Sequence, residues 1–324
     1  MKALKEYNEF CEKTLFPALE ECEDRRKSIM SKRHSLLLLV LILIVAQVIV
    51  ILLGYIPLWT IFIAMFVVPF IFGFAYNRFF RDEDLEADVQ DIVIKESIKF
   101  LFLKPSFDER LSVPYNYFAD SQIFLQLPEN YEGKNLTKGT FGKYPTLFSE
   151  IDCGYTENAG GKETWHTIFS GIFAIVAFEK KLDANIVVIP SELEKELYLI
   201  GKHIQKHNFY RGQSVPFDDD KEFMKHYVAY SDQPMESVKL ISAEIRNLLL
   251  NFKQKMGIEV SLSIIGNKIN FAFGAGSLLS LNLKDSILDF EQIKSIYLCF
   301  SCIELVLMDI SKRYIIKAGT DWSI

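Results

Sequence analysis

The sequence predicts an α+β protein: a two-helix transmembrane hairpin with helical arms, then a C-terminal cytoplasmic α+β domain of antiparallel strands and two or more helices. Three observations predict it. No Asp, Glu, Lys or Arg occurs from Ser35 to Asn77, although charged residues make up 24% of the 324-residue chain. From about Ser106 the texture changes to short, aromatic, β-rich runs punctuated by Gly. Helical spacing of apolar residues returns after Asp232 and again after Phe290. The expected segments are an N-terminal amphipathic helix over 1–34, the hairpin over 35–77, a helical connector over 78–112 and the cytoplasmic domain over 113–324.

The first arm is helical because Leu4, Tyr7, Phe10, Cys11, Leu15, Leu19 and Cys22 recur at steps of three to four. Its polar face mixes acidic and basic residues, which suits packing on protein better than lying on a membrane surface. Leu36–Leu53 and Leu58–Tyr76 are uncharged apolar runs. Each is long enough to span a hydrocarbon core of about 30 Å. Gly54-Tyr55-Ile56-Pro57 between them joins a helix terminator to a helix starter. Tyr55, Trp59 and Tyr76 sit where amphipathic rings settle at interfaces. Arg25, Arg26, Lys27, Lys32 and Arg33 precede the first run, Arg78 and Arg81 follow the second, and the turn carries no basic residue. The positive-inside rule therefore puts both termini in the cytoplasm. After Arg81 an acidic, helical stretch continues through Lys104 and ends before Pro105.

In the cytoplasmic domain Gln122–Leu127, Thr137–Phe141, Thr146–Ile151, Trp165–Phe178, Ile186–Ile189 and Lys225–Tyr230 read as strands. Glu192–Ile200 reads as a short helix. Asp232 is placed to cap one helix, with Pro234 in its first turn, that runs to Gly257. Ile258–Ile265 and Lys268–Phe273 flank Gly266-Asn267, the strongest hairpin signal in the chain. A last amphipathic helix runs from about Phe290 to Lys312.

The formal net charge of −6 leaves no dominant basic footprint, so nucleic acid is not an expected partner. Five Cys cannot all pair internally. Cys299 and Cys302 form a Cys-x-x-Cys, but inside an apolar helical run where thiols act as small hydrophobes. No cofactor or metal site is expected. Asn158-Ala-Gly-Gly-Lys162 lacks the first Gly and the Ser/Thr of a phosphate loop. Gly274-Ala-Gly276 has Leu279 where a dinucleotide fingerprint needs its third Gly. His203 and His207 have helical spacing but no following Glu. Asp218-Asp219-Asp220 are consecutive, so their side chains diverge into a solvated loop. Gln47 and Pro69 are the oddities inside the spans, and neither ionises. A transporter or channel would need such a group, so that reading has least support.

Several ordered pieces resemble the bacterial membrane-protein family known as domain of unknown function 3137 (DUF3137). They are Ser121-Gln-Ile-Phe124, Tyr131–Gly139, Phe148-Ser149-Glu150, Ile168-Phe-Ser-Gly-Ile-Phe173, Phe178-Glu-Lys180, Ile186–Pro190, Glu222-Phe223, Val228–Asp232 and Ser261–Asn267. Glu179, Tyr227 and Glu236-Ser-Val-Lys239 depart from it. The resemblance implies an inner-membrane hairpin with a cytoplasmic domain and supplies no catalytic residues. It also implies a LemA-like membrane protein as a partner, because genes of the two families lie near one another.

Within the matched strands Ser149, Glu150 and Lys180 are the polar positions that could belong to a site. Two functions remain. One is a membrane-tethered interaction or scaffold protein, with the lipid bilayer and a membrane protein as partners and a homo-oligomer compatible with both. The other is a membrane-anchored ligand-binding module or enzyme, which requires a pocket of roughly 300 Å³ or more. No catalytic constellation is legible.

Overall fold

The computed structural model describes residues 4–55, 57, 59, 73–74, 83–159, 162–193, 211–274, 281–314 and 316–319. The chain divides into two compact units: Leu4–Glu96 with Ser280–Lys294, and Met1–Ala3 with Ser97–Leu279 and Ser295–Ile324.

The first unit is built on one continuous helix. α1 (Leu4–Phe10), a π turn (Cys11–Leu15) and α2 (Phe16–Leu52) follow without a break. Together they form a 49-residue helix, about 73 Å long at 1.5 Å per residue. The N-terminal arm and the first apolar run are therefore one rod. The π turn has a local cause. Pro17 has no N–H, and its ring would strike the carbonyl four residues back in a regular helix. The widened turn just before it takes up that misfit.

The predicted stripe is the buried face of this helix: Tyr7, Cys11, Leu15, Leu19 and Cys22 are all covered. Within the same unit α3 (Glu83–Leu101) buries Leu85, Val89 and Val93, and the segment 281–294 buries Leu283, Ile287 and Ile293. The Tyr7 and Phe290 rings lie 6.1 Å apart, and Arg25 Nη1 reaches Asp88 Oδ2 at 2.5 Å.

The key polar contact is buried. Glu23 takes a bidentate pair from Arg26, Nη2 to Oε1 at 2.7 Å and Nε to Oε2 at 2.8 Å. The same carboxylate accepts the Ile287 N–H at 3.1 Å and the Ser286 hydroxyl at 3.2 Å. Arg26 Nη1 in turn donates to the carbonyls of Leu283 and Lys284. A chain segment more than 250 residues away in sequence is thus pinned to one turn of helix.

From Leu37 onward the cover ends. Leu38, Leu41, Ile42 and Leu43 are each more than half exposed. Leu53 closes the helix and Gly54 follows at φ +77°, as the predicted terminator requires. The second apolar run, Leu58–Tyr76, lies outside the described residues except for Trp59, Gly73 and Phe74.

The second unit holds a single antiparallel sheet of nine strands among the described residues. They are β1 (Leu103–Asp108), β2 (Asn130–Phe141), β3 (Tyr144–Ala159), β4 (Lys162–Ala177), β5 (Ile186–Pro190), β6 (Gln213–Ser214), β7 (Tyr227–Ser231), β8 (Glu259–Ile265) and β9 (Lys268–Gly274). Their order is β1-β2-β3-β4-β9-β8-β5-β7-β6. The first four strands form a meander, and the late β8–β9 hairpin inserts between β4 and β5. Only Gly266 of the hairpin turn takes a positive φ, +61°, the pattern of a turn with Gly at its first central position.

The central strands are buried on both sides. Ile172, Phe173, Ala174, Ile175, Val176 and Ala177 are consecutive in β4, and all are buried. One sheet face carries Phe148, Phe271, Phe273 and Tyr227. It is covered by α7 (Ala243–Met256) and α8 (Phe290–Arg313). Phe300 of α8 meets the rings of Phe102, Phe141 and Phe148 at 5.0–5.5 Å, and Phe252 of α7 meets Phe273 at 6.0 Å. The other face carries Phe169, Phe173, Ile175, Val187 and Ile189. It is covered by the short α4 (Tyr115–Asp120), whose Phe118 meets Phe173 at 5.2 Å and Phe124 at 4.9 Å.

Several local expectations are corrected. Gln122–Leu127 is not a strand: Gln122 sits at φ +57°, and Ile123 and Phe124 plug the core from an irregular turn. α4 just before it and β1 had no legible period. β1 lies within the stretch read as helical connector. It is a sheet edge carrying Pro105 and Lys104, residues that blunt edges. Lys225 and His226 end α5 (Lys221–His226) instead of opening β7. The single helix read from Asp232 to Gly257 is two, α6 (Pro234–Leu240) and α7. Ile241 leaves helical geometry, and the Ser242 hydroxyl caps the second helix at the Ile245 N–H. The three aspartates do not all diverge. Asp219 and Asp220 both bind the buried Arg246, at 2.6 and 2.9 Å, and Asp220 also caps α5.

The Arg26 guanidinium, hydrogen-bonded to the Glu23 carboxylate, holds that carboxyl below its ordinary value of 4.5. A lowered folded-state pKa gives stability that is full above the unfolded value and is lost as pH falls through the folded one. Glu23→Ala should therefore cost about 3–5 kcal/mol near neutral pH, because it strands a buried Arg26. The gap from wild type should narrow below about pH 4.5. Melting curves of both proteins in detergent across pH check this, and a gap independent of pH would refute it.

Candidate functional site

The three polar positions marked in the sequence do not share a site. Ser149 and Glu150 are consecutive in β3, so they point to opposite faces. The Ser149 hydroxyl accepts the Val113 N–H at 2.9 Å and ties down the loop before α4. Glu150 is buried and accepts Asn135 Nδ2 at 3.2 Å, with Lys134 Nζ at 3.8 Å. Asn135 stands at φ +63° in the β2 bulge, so Glu150 braces that irregularity. Lys180 is exposed beyond the end of β4. Glu150 pairs with Ile172, five residues or about 16 Å along the strand before that end.

The thiols are buried. Burial pushes Cys299 up to about 12. Burial, and then the neighbouring Cys299, push Cys302 well above the ordinary thiol range. Cys153 rises to about 12 by burial, partly offset by the Phe169 N–H. Among the described residues no group of three or more His, Cys, Asp or Glu could hold a metal ion. His203, His207 and Leu279 lie outside the described residues.

A pocket of about 320 Å³ opens on the sheet face that α4 covers. One wall is the C-terminal end of α4 and the turn after it, with Tyr117, Asp120 and Gln122. The opposite wall is the β8–β9 hairpin, with Asn267 and Lys268, and Asn270 forms the floor. The helix wall is held by a buried cation: Arg211 Nε donates to the Gln122 carbonyl at 2.9 Å, and its Nη2 donates to the Ile123 carbonyl. Ser121 locks the same turn, donating to the Phe118 carbonyl at 2.6 Å and accepting the Ile123 N–H. On the hairpin wall Lys268 Nζ sits 4.4 Å from the Tyr117 ring centroid. The floor residue is polar: Asn270 is buried, and its Nδ2 donates to Ser263 Oγ at 3.0 Å, a serine that is itself buried on this sheet face, as is Ser261.

Sequence reasoning missed this site. Lys268, Asn270, Ser261 and Ser263 alternate with Val, Leu, Ile and Phe, which by itself reads as the solvent face of a hairpin. The signal that could have marked it is the polar alternation continuing on a hairpin whose other face is wholly apolar. A second open pocket, about 410 Å³, lies between α7 and α8 with Leu248, Leu305 and Met308 in its lining.

The model of the family described as protein of unknown function DUF3137 matches residues 167–310. The family read from the sequence is the family matched. The match runs from the middle of β4 to near the end of α8, so it takes in the inserted hairpin and both covering helices but not the β1–β3 meander. No curated protein matches the chain. Among solved structures, the crystal structure of the mycobacterial trehalose monomycolate transport factor A, TtfA, is similar at 7% identity. It covers 54% of this chain and 75% of that one, with a TM-score of 0.27.

Thiolate chemistry requires access and a low pKa, and Cys299 and Cys302 have neither. At about pH 8 N-ethylmaleimide should leave both unlabelled in the folded protein and label both after denaturation. Mass spectrometry of labelled peptides checks this. Labelling of either in the folded protein would mean that α8 opens.

Proposed function

We propose that the chain is a membrane-tethered interaction protein of the bacterial inner membrane, with both termini and the sheet unit in the cytoplasm. The observation that carries this reading is the continuous Leu4–Leu52 helix. Its N-terminal half buries an apolar stripe against protein, whereas none of its most apolar 18-residue window is buried. A soluble core helix of that composition would be covered. An uncovered one of about 27 Å matches the hydrocarbon thickness of a bilayer. The absence of Asp, Glu, Lys, Arg and His from Ser35 to Asn77 supports an anchor more than an ion pathway. The second span expected at Leu58–Tyr76, a LemA-like membrane protein as partner, and self-association belong to this proposal.

The pocket against the β8–β9 hairpin favours a second reading, a membrane-anchored ligand-binding module. Its volume meets the lower bound for small-molecule sites.

Two outcomes test the first reading. The tagged full-length protein should stay in the membrane pellet after alkaline wash. Leu41→Lys with Ile44→Lys should release it, because each Lys costs about 2.5–3.5 kcal/mol at a span centre. Purified from native membranes in mild detergent, it should bring a near-stoichiometric membrane protein with it. Extraction of the wild type by alkaline wash would sink the anchor. Recovery of the protein alone would move the weight to the ligand-binding reading.

A further inference from the structure

The pocket between α4 and the β8–β9 hairpin has a lining whose chemistry specifies more than its size. Its charged residues are Asp120 on the helix wall and Lys268 on the hairpin wall, one of each sign on opposed elements. Among the described residues neither has an ion-pair partner. Lys268 is oriented by the Tyr117 ring below its ammonium. The floor offers an amide: Asn270 is 2% exposed, its Nδ2 is engaged by Ser263, and its Oδ1 remains as an acceptor.

Two costs have been accepted to build this. Asn270 and its partner Ser263 are buried in a sheet face whose other buried side chains, Ser149 and Ser261 apart, are apolar, where apolar residues would pack at no desolvation cost. Gln122 is held at φ +57°, a region costly for a non-glycine residue, by a guanidinium that is itself 4% exposed. Strain of this kind, fixed by its surroundings, clusters at ligand clamps. The alternatives fit less well. A dianion such as phosphate would meet Asp120 with only one cation to offset it. A metal ion would find one carboxylate. An apolar ligand would strand the polar floor.

We propose that this pocket binds a small zwitterion of amino-acid size, its carboxylate on Lys268 and its ammonium on Asp120 and the Asn270 carbonyl. This inference rests on the ligand-binding reading of the pocket and does not depend on the tether reading.

The test uses the full-length protein in detergent, titrated calorimetrically with each of the twenty free L-α-amino acids. For any that binds, the amine lacking the carboxylate and the acid lacking the ammonium follow. At least one amino acid should bind, and deleting either charge should weaken it by about tenfold or more. Lys268→Gln and Asp120→Asn should each weaken it similarly without moving the melting temperature. The proposal is overturned if no amino acid saturates by about 10 mM, if single-charge analogues bind equally well, or if binding survives both substitutions. The analogue comparison on the wild type decides the matter even if a variant fails to fold.

Discussion

The sheet unit is governed by one constraint: its central strands have no solvent face. Consecutive buried residues from Ile172 to Ala177, and all five residues of Ile186–Pro190, require apolar cover on both sides of the sheet. One side obtains it from two long helices, whose Phe252 and Phe300 press on an aromatic layer. The other is covered, among the described residues, by a six-residue helix, the turn after it and side chains such as Val113 and Leu193. Beside that helix, where its C-terminal end and the following turn meet the β8–β9 hairpin, lies the pocket, with the buried Asn270 at its floor.

The other unit solves a different problem, one helix in two surroundings. Along about 73 Å the Leu4–Leu52 helix passes from a one-sided apolar stripe to an all-round apolar surface. The switch in pattern is the switch in solvent. In the first half Glu23 and Arg26 fix the register of a distant segment, because a buried carboxylate with four hydrogen bonds tolerates no sliding. From Leu36 to Leu52 nothing polar interrupts the surface except Gln47.

Much of this was legible in the sequence, and the misses have particular causes. The stripe from Tyr7 to Cys22, the apolar run, the Gly266-Asn267 hairpin and the Gly257 stop are periodic or steric signals, so they survive without tertiary context. The helix read across Asp232–Gly257 failed because apolar spacing continues through Ile241 while the Ser242 cap breaks the backbone. Gln122–Leu127 failed because a short apolar run reads alike as a strand or as a plug: Gln122 turns the backbone at φ +57°, and Ile123 and Phe124 enter the core from that turn. Asp219 and Asp220 were read as solvated because the charge they meet, Arg246, lies more than 25 residues downstream in another helix.

The sequence by itself determined where apolar surface must lie and where the backbone must turn, since hydrophobic period and glycine stereochemistry are local properties. That was enough for the α+β class, the apolar helix and most of the strands. Only the tertiary structure decided strand order, which inserts the last hairpin into the middle of the sheet. It also decided the fate of individual polar residues. Ser149 and Glu150 became structural hydrogen-bond partners, and Asn270 and Lys268 became the floor and wall of a pocket. Whether a polar side chain is solvated, paired or left facing a cavity depends on what packs over it. That cover comes from elements far away in the chain, which no local pattern encodes.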